Sequence, residues 1–148
     1  GRVSWPFTGT YSASKAAVES YTQSLKYELA PSGVEVVLVE PGPSGTNLSD
    51  SFEPEARTDI VAENPQLKQI IDTMIESFGE VLEDPLTNPQ HVVDTYLELA
   101  EMKHGERPTR TAIGLTNGIE KINEFAQPIQ DQVMTDFQLD FMLTTKTN

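Results

Sequence analysis

"LAPSGVEVVLVEPG", residues Leu29 to Gly42, decides the fold class. Pro31-Ser32-Gly33 ends whatever runs into it, because a proline ring and a glycine together break regular structure. The run Val34 to Glu40 that follows is β-branched, too short for a helix and too apolar for an exposed edge, and Pro41-Gly42 closes it. It reads as a buried strand of the parallel kind. Upstream, Ala16, Ala17, Val18, Tyr21, Leu25 and Leu29 recur near helical spacing from Ser12 to about Ala30, with Gly9 as the breaker before them. Helix, tight turn and buried strand in that order are the signature of an α/β domain.

The alternation continues along the chain. Residues Pro41 to Pro65 are rich in Pro, Gly, Ser, Asn and Asp with little periodicity, and so long a loop inside a domain is more often a functional lid than an idle linker. Helical patterns resume at about Gln66 to Leu82, where Leu67, Ile70, Ile71, Met74, Ile75 and Phe78 share one face, and again from Pro89 to about Met102. Asn88 before Pro89 makes a good cap and first-turn pair. "RTAIGL", Arg110 to Leu115, is a second brief strand that Asn117-Gly118 ends. Ile119 to Leu143 reads as one or two helices interrupted at Pro128, with Glu120, Glu124, Asp131, Asp136 and Asp140 on the outer face. No internal repeat is present.

Composition narrows the function. At 148 residues with 37% hydrophobic and 22% charged positions, the chain suits one soluble domain with a real core. A formal net charge of -13 repels phosphate backbones and anionic lipid, which argues against nucleic-acid and membrane-surface partners. The absence of cysteine removes disulfides and thiolate chemistry and fits a reducing compartment, and with no membrane-length apolar run the expected location is the cytoplasm. The two histidines, His91 and His104, stand a helix's length apart, so no metal site is expected.

"TYSASKAAVES", Thr10 to Ser20, holds the chemistry-bearing pair. Tyr11 and Lys15 are four apart, which on a helix places them on one face about 6 Å apart, with only small side chains between. A phenol ordinarily keeps its proton to about pH 10, and a neighbouring cation favours the phenolate, so a phenol so placed can trade a proton near neutrality. Ser12, Ala13, Ser14 and Ala16 leave room against the helix for a substrate and a flat cofactor. Such a pair alone is more often a solvated surface pair than a catalytic one, and its neighbours in the chain decide the matter.

Taken in order, "YSASKAAVES", "LAPSGVEVVLVEPG", Thr46 and the later "GERPTRT" resemble the short-chain dehydrogenase/reductase family over residues 1 to about 115. The resemblance implies the C-terminal part of a Rossmann-type doubly wound parallel sheet over residues 1–116, starting just before the Tyr-x-x-x-Lys helix, with a C-terminal helical extension over 117–148. It implies hydride transfer between NAD or NADP and a small alcohol or ketone, with Tyr11 as general acid/base and Lys15 lowering the tyrosine's pKa and holding the nicotinamide ribose. Pro41 and Gly42 stand at the carboxyl end of the strand, where open α/β sheets bind ligands. By the same resemblance the backbone around Ser44 and the hydroxyl of Thr46 hold the carboxamide, although the family more often has a branched aliphatic where Ser44 stands. The parent protein would be a homo-oligomer.

Two strands do not make a stable sheet of this class. The expectation is therefore of a piece of a larger domain whose glycine-rich phosphate turn and catalytic serine lie ahead of Gly1; Ser4, Ser12 and Ser14 are at the wrong offsets to supply the latter. Trp5, Pro6, Phe7 and Thr8 would lie beside the reacting carbonyl, and Leu67 to Phe78 is a core stripe first and a pocket wall second. A truncated or non-catalytic relative serving as a structural or partner-binding module is the alternative.

Overall fold

A computed structural model describes residues 1–47 and 58–144. Helix α1 spans Gly9–Leu29. Its entry is set by Thr8, whose hydroxyl donates to the Trp5 carbonyl at 2.9 Å and lies 3.0 Å from the Ser12 hydroxyl. The helix ends in a single 3₁₀ turn, Ala30–Ser32, and Gly33 takes a left-handed φ of 78° that a side chain would resist. There the chain reverses, the Gly33 N–H donating to Ala30 and the Val34 N–H to the Leu29 carbonyl.

Strand β1, Leu38–Pro41, runs parallel to β2, Arg110–Ile113, with Leu38 opposite Arg110 and Pro41 opposite Ile113. The strand expected over Val34 to Glu40 is parallel, as its composition predicts, but only its last residues pair. No residue from Val34 to Pro41 is fully buried and Val34 is half exposed, so the expected burial is not found. The reason lies in the partner: among the described residues β1 has one neighbouring strand, and ahead of Arg110 that neighbour offers side chains rather than a ladder. The Glu35 carboxylate takes the Gly105 N–H and the Arg107 guanidinium there.

The crossover between the strands is helical. It runs through α2 (Thr58–Glu63), α3 (Pro65–Val81), a 3₁₀ turn (Pro85–Thr87) and α4 (Gln90–Glu101). The long loop expected from Pro41 to Pro65 is thus partly helix. Asp59 in the first turn of α2 complements the positive end of that helix; positions 48–57 lie outside the described residues. Helix α3 starts at Asn64, whose side chain accepts the Leu67 N–H at 3.2 Å, and Asn88 takes the Gln90 N–H at 2.9 Å at the head of α4. Ile71 of α3 and Leu99 of α4 are buried, whereas Ile70 and Ile75 are half exposed.

Helix α5, Ile119–Asp136, passes through Pro128 unbroken. A proline inside a helix costs about 3 kcal/mol, and here the inner face holds the helix on both sides of it. Asn123 donates to Glu40 of β1 at 2.6 Å, and Met134 is buried. Asp131, expected on the outer face, instead turns inward, accepting from the Tyr27 hydroxyl at 3.3 Å and from Gln127 at 2.7 Å. Burial raises the Tyr27 phenol's pKa, with Asp131 adding to the shift.

One guanidinium ties these layers together. Arg110 Nη1 donates to Glu40 Oε1 at 2.9 Å and to Glu19 Oε2 of α1 at 3.2 Å, and all three side chains are nearly buried. Since residues two apart on a strand share a face, Leu38, Glu40 and Arg110 all look toward α1 and α5. A buried charge left without its partner is costly, so Arg110→Ala is expected to destabilise the fold by roughly 3–5 kcal/mol, read from urea unfolding; a loss below about 1 kcal/mol, the range of an exposed pair, would remove the network from this role.

Glu35 marks the second tie. Desolvation pushes its carboxyl up, but the Arg107 and Gly105 hydrogen bonds and the nearby positive charges outweigh this and hold it below its usual 4.5. A depressed carboxylate stabilises above its unfolded pKa and ceases to as pH falls through the folded one. The stability difference between the native chain and Glu35→Gln should therefore be constant above about pH 5 and shrink below 4.5, which denaturant melts across pH 3–7 will measure.

Candidate active site

Tyr11 and Lys15 lie in the first turns of α1. The Lys15 ammonium sits 5.3 Å from the centroid of the Tyr11 ring, over its face, as i and i+4 positions allow. Tyr11 is half exposed, and Ala13, Ser14, Lys15 and Ala16 around it are exposed too. The Ser14 hydroxyl donates to the Tyr11 carbonyl at 2.7 Å, a bond back onto the helix. The pair is thus presented to solvent on a wall of small side chains.

Where the pair lies relative to β1 follows from the reversal at Gly33. Helix α1 runs back along the sheet, and Glu19 bonds Arg110 beside the Leu38–Glu40 segment. Tyr11 lies two helical turns from Glu19 toward the helix N-terminus. That end is the one at which β1 exits into Pro41, Gly42, Ser44 and Thr46, and in open α/β sheets it is the ligand-binding end.

The exit loop is fixed by backbone contacts. The Gly42 N–H donates to the Ile113 carbonyl and the Gly45 N–H to the Thr87 carbonyl, each at 2.9 Å. A Cβ at Gly42 would overlap the Leu115 carbonyl, and one at Gly114, which has a φ of 74°, would overlap that of Leu86. The Gly42 requirement therefore comes from Leu115 of the neighbouring segment. Thr87 is buried, its hydroxyl reaching the Leu82 carbonyl at 2.9 Å and that of Asp84 at 2.6 Å. Ser44 turns its hydroxyl back to the Gly42 carbonyl at 3.3 Å, while Thr46 is exposed.

The segment ahead of Tyr11 meets α3. Trp5 stacks edge-on against Phe78, with ring centroids 6.3 Å apart and planes at 87°. Phe7 holds a left-handed φ of 60°, which a bulky residue keeps only where its surroundings insist on it. Sequence reasoning missed Thr87 and Gly114 as supports of the exit loop. The turn-rich "EDPLTNP" and the Gly114 break after β2 were the only signals, and neither says what it touches.

A parallel strand pair joined by a helical crossover, with a tyrosine and lysine one helical turn apart on the helix ahead of the first strand, defines a protein of the α/β class. Residues 1–57 match the short chain dehydrogenase family model, and the chain is similar to proteins named as short-chain dehydrogenases/reductases and oxidoreductases. It is 50% identical over 62 residues to a Helicobacter pylori protein named "Probable short-chain type dehydrogenase/reductase VdlC", covering 41% of this chain and 23% of that one. It is 42% identical over 65 residues to the uncharacterized oxidoreductase YbbO of Escherichia coli, covering 44% and 24%. To the NADPH-dependent 3-dehydrocapnine reductase of Ornithobacterium rhinotracheale it is 40% identical over 83 residues, covering 53% and 29%. The chain thus spans about a quarter of the length of these curated relatives.

Overlap with a backbone carbonyl cannot be relieved by a rotamer change. Gly42→Ala is therefore expected to cost roughly 1–3 kcal/mol and to lower the thermal midpoint, whereas Gly45→Ala, whose Cβ would meet only the Thr87 carbonyl at an ordinary 3.8 Å, should be near neutral by the same melting experiment.

Proposed function

We propose that this protein takes part in NAD- or NADP-dependent oxidoreduction of a secondary alcohol or ketone, with Tyr11 moving the proton. The observation that carries the reading is the Lys15 ammonium over the face of the half-exposed Tyr11 ring, at the strand-exit end of the sheet. The match to the family model and the oxidoreductase names of several relatives support it. The NADPH-dependent relative covers too small a part of its own length by this chain to choose between the two nicotinamide cofactors.

The donor set suits the nicotinamide-ribose half of such a cofactor. An ammonium at Lys15 can donate to ribose hydroxyls, and the Thr46 hydroxyl with the Pro41, Gly42 and Ser44 backbone offers donors and acceptors for a carboxamide. When bound, the cofactor supplies the hydride. For its part, Tyr11 Oη gives a proton to the carbonyl oxygen in reduction, or takes one from the alcohol in oxidation. Charge then grows on the phenol oxygen as its proton leaves, and Lys15 places a compact positive charge close to it. Small side chains at Ala13, Ser14 and Ala16 keep that side open for the ring. The lack of cysteine and the acidic surface fit a cytoplasmic setting for this chemistry.

Tyr11→Phe, made in the protein expressed from its complete reading frame, keeps the ring under Lys15 and removes only the hydroxyl. It should lower kcat by at least about a hundredfold, the usual worth of a positioned acid/base group, with cofactor Kd from fluorescence titration within about threefold. Turnover at a near-native rate would assign the proton to another group.

A further inference from the structure

Thr8 stands where the cap of α1 belongs, yet its side chain makes no capping bond. It is 8% exposed, and so buried a hydroxyl must find its partners within the chain. A threonine hydroxyl carries one proton. Here that proton goes to the Trp5 carbonyl at 2.9 Å, so the 3.0 Å contact with Ser12 is made with the Ser12 hydroxyl as donor. The Thr8 N–H reaches the same Trp5 carbonyl at 3.3 Å. Two bonds to one oxygen thus close a four-residue turn with Pro6 and Phe7 at its centre. Phe7 holds its φ of 60° at the third position, where a turn of this kind takes glycine, so the turn leans on those two bonds to stay shut.

The start of α1 needs such a hold. Gly9 and Thr10, which lead into Tyr11, are weak helix formers, and the first turn of a helix is the part that frays. Tyr11 lies in that turn and Lys15 in the next, so the ammonium stays 5.3 Å from the ring centroid only while the first turn is wound. Thr8 grips Ser12 twice, its carbonyl accepting the Ser12 N–H at 2.7 Å and its hydroxyl accepting from the Ser12 hydroxyl. On its far side the turn is anchored by Trp5, whose ring meets Phe78 of α3. We infer that Thr8 is a positioning residue for the Tyr11–Lys15 pair: its buried hydroxyl locks the Trp5–Thr8 turn onto Ser12 and keeps the first turn of α1 wound beneath the phenol. The inference rests on the role proposed for that pair. It also takes Thr8 out of the wall beside the reacting carbonyl, where the sequence suggested it, since its one proton is spent within the chain.

The test uses the protein expressed from its complete reading frame and labelled with 3-fluorotyrosine, the Tyr11 fluorine resonance being the one that Tyr11→Phe removes. In the otherwise native protein Lys15→Met should shift that resonance, because it takes the charge away from the ring face. Thr8→Val keeps the volume and drops the hydroxyl. It should shrink the Lys15→Met shift by at least about half and speed hydrogen exchange of the Ser12 amide about tenfold, the worth of one or two hydrogen bonds. Thr8→Ser, which keeps the hydroxyl, should retain the shift and exchange within about threefold of native. Adding Gly9→Ala to Thr8→Val, where the new Cβ meets nothing within 4 Å, should slow exchange again about fivefold through its gain in helix propensity. Ser12→Ala removes the other hydroxyl of the pair and should act in the same direction as Thr8→Val, which keeps the test open if that variant does not fold. A purely structural role would lower the melting temperature and leave the Lys15-dependent shift in place. The inference is overturned by that result, by a native Tyr11 resonance that Lys15→Met does not move, or by Thr8→Ser behaving as Thr8→Val does. Turnover enters none of these readouts, so failure here leaves the Tyr11 assignment untouched, whereas near-native turnover by Tyr11→Phe would remove that assignment and leave this coupling standing.

Discussion

Arg110 is the constraint on which the arrangement rests. Parallel pairing of two four-residue strands is a small source of stability, and each strand here carries a side chain that cannot be left dry and alone: Glu40 on β1 and Arg110 on β2. Bringing them together satisfies both, and the same guanidinium nitrogen reaches Glu19 on α1. Asn123 then approaches the second oxygen of Glu40 and sets where α5 lies. Position, more than affinity, is what this network supplies. Buried ion pairs contribute little net free energy over apolar substitutes, but their directional bonds admit one register of β1 on β2 and one placement of two helices.

The candidate site depends on that placement at one remove. Tyr11 and Lys15 sit on α1 beyond Glu19, and the exit loop sits on β1 beyond Glu40, so the two halves of the site are held by one nitrogen of one guanidinium. Farther out, rigidity passes to the backbone. Gly42 fits under the Leu115 carbonyl and Gly45 hangs from Thr87, itself anchored by a buried hydroxyl with two carbonyl partners. Such a loop keeps one fixed course, the N–H groups of Gly42, Gly45 and Thr46 being spent on the Ile113, Thr87 and Ser44 carbonyls.

Local chemistry made much of this readable in the sequence. The stop at Pro31–Gly33, the parallel character of Val34–Glu40 and the cap at Asn88 are dictated within a few residues and stand where propensity and periodicity put them, while the helix around Tyr11 starts three residues early and takes in Gly9, the expected breaker, as its first residue. The misreadings share a different cause. Asp131 is acidic and looks solvent-bound until the Tyr27 hydroxyl, distant in the chain, comes to meet it. Pro128 ought to break a helix, but the inner contacts of α5 on either side outweigh the lost bond. Val34 to Val37 has the composition of a buried strand, yet pairing depends on a neighbour, and the one described begins its ladder opposite Leu38. The Tyr11–Lys15 spacing was plain in the sequence; the supports under the exit loop were not, because they arise where segments far apart in the chain touch.

The separations within the Arg110 network carry a consequence for how the chain acquires its fold. Its bonds join residues 70, 83 and 91 positions apart, whereas α1, α3 and α4 are built from contacts three or four residues away. Closing a long loop costs entropy before any of its contacts can repay it, although each doubling of length adds only about 0.6 kcal/mol. The helices need only local contacts, whereas the strand pair carries the loop-closure cost. Until it closes, Glu19, Glu40 and Arg110 are hydrated charges on independent pieces. During that interval the apolar run at Val34–Val39 stands unpaired, and this is when the chain is most open to strand exchange with its neighbours.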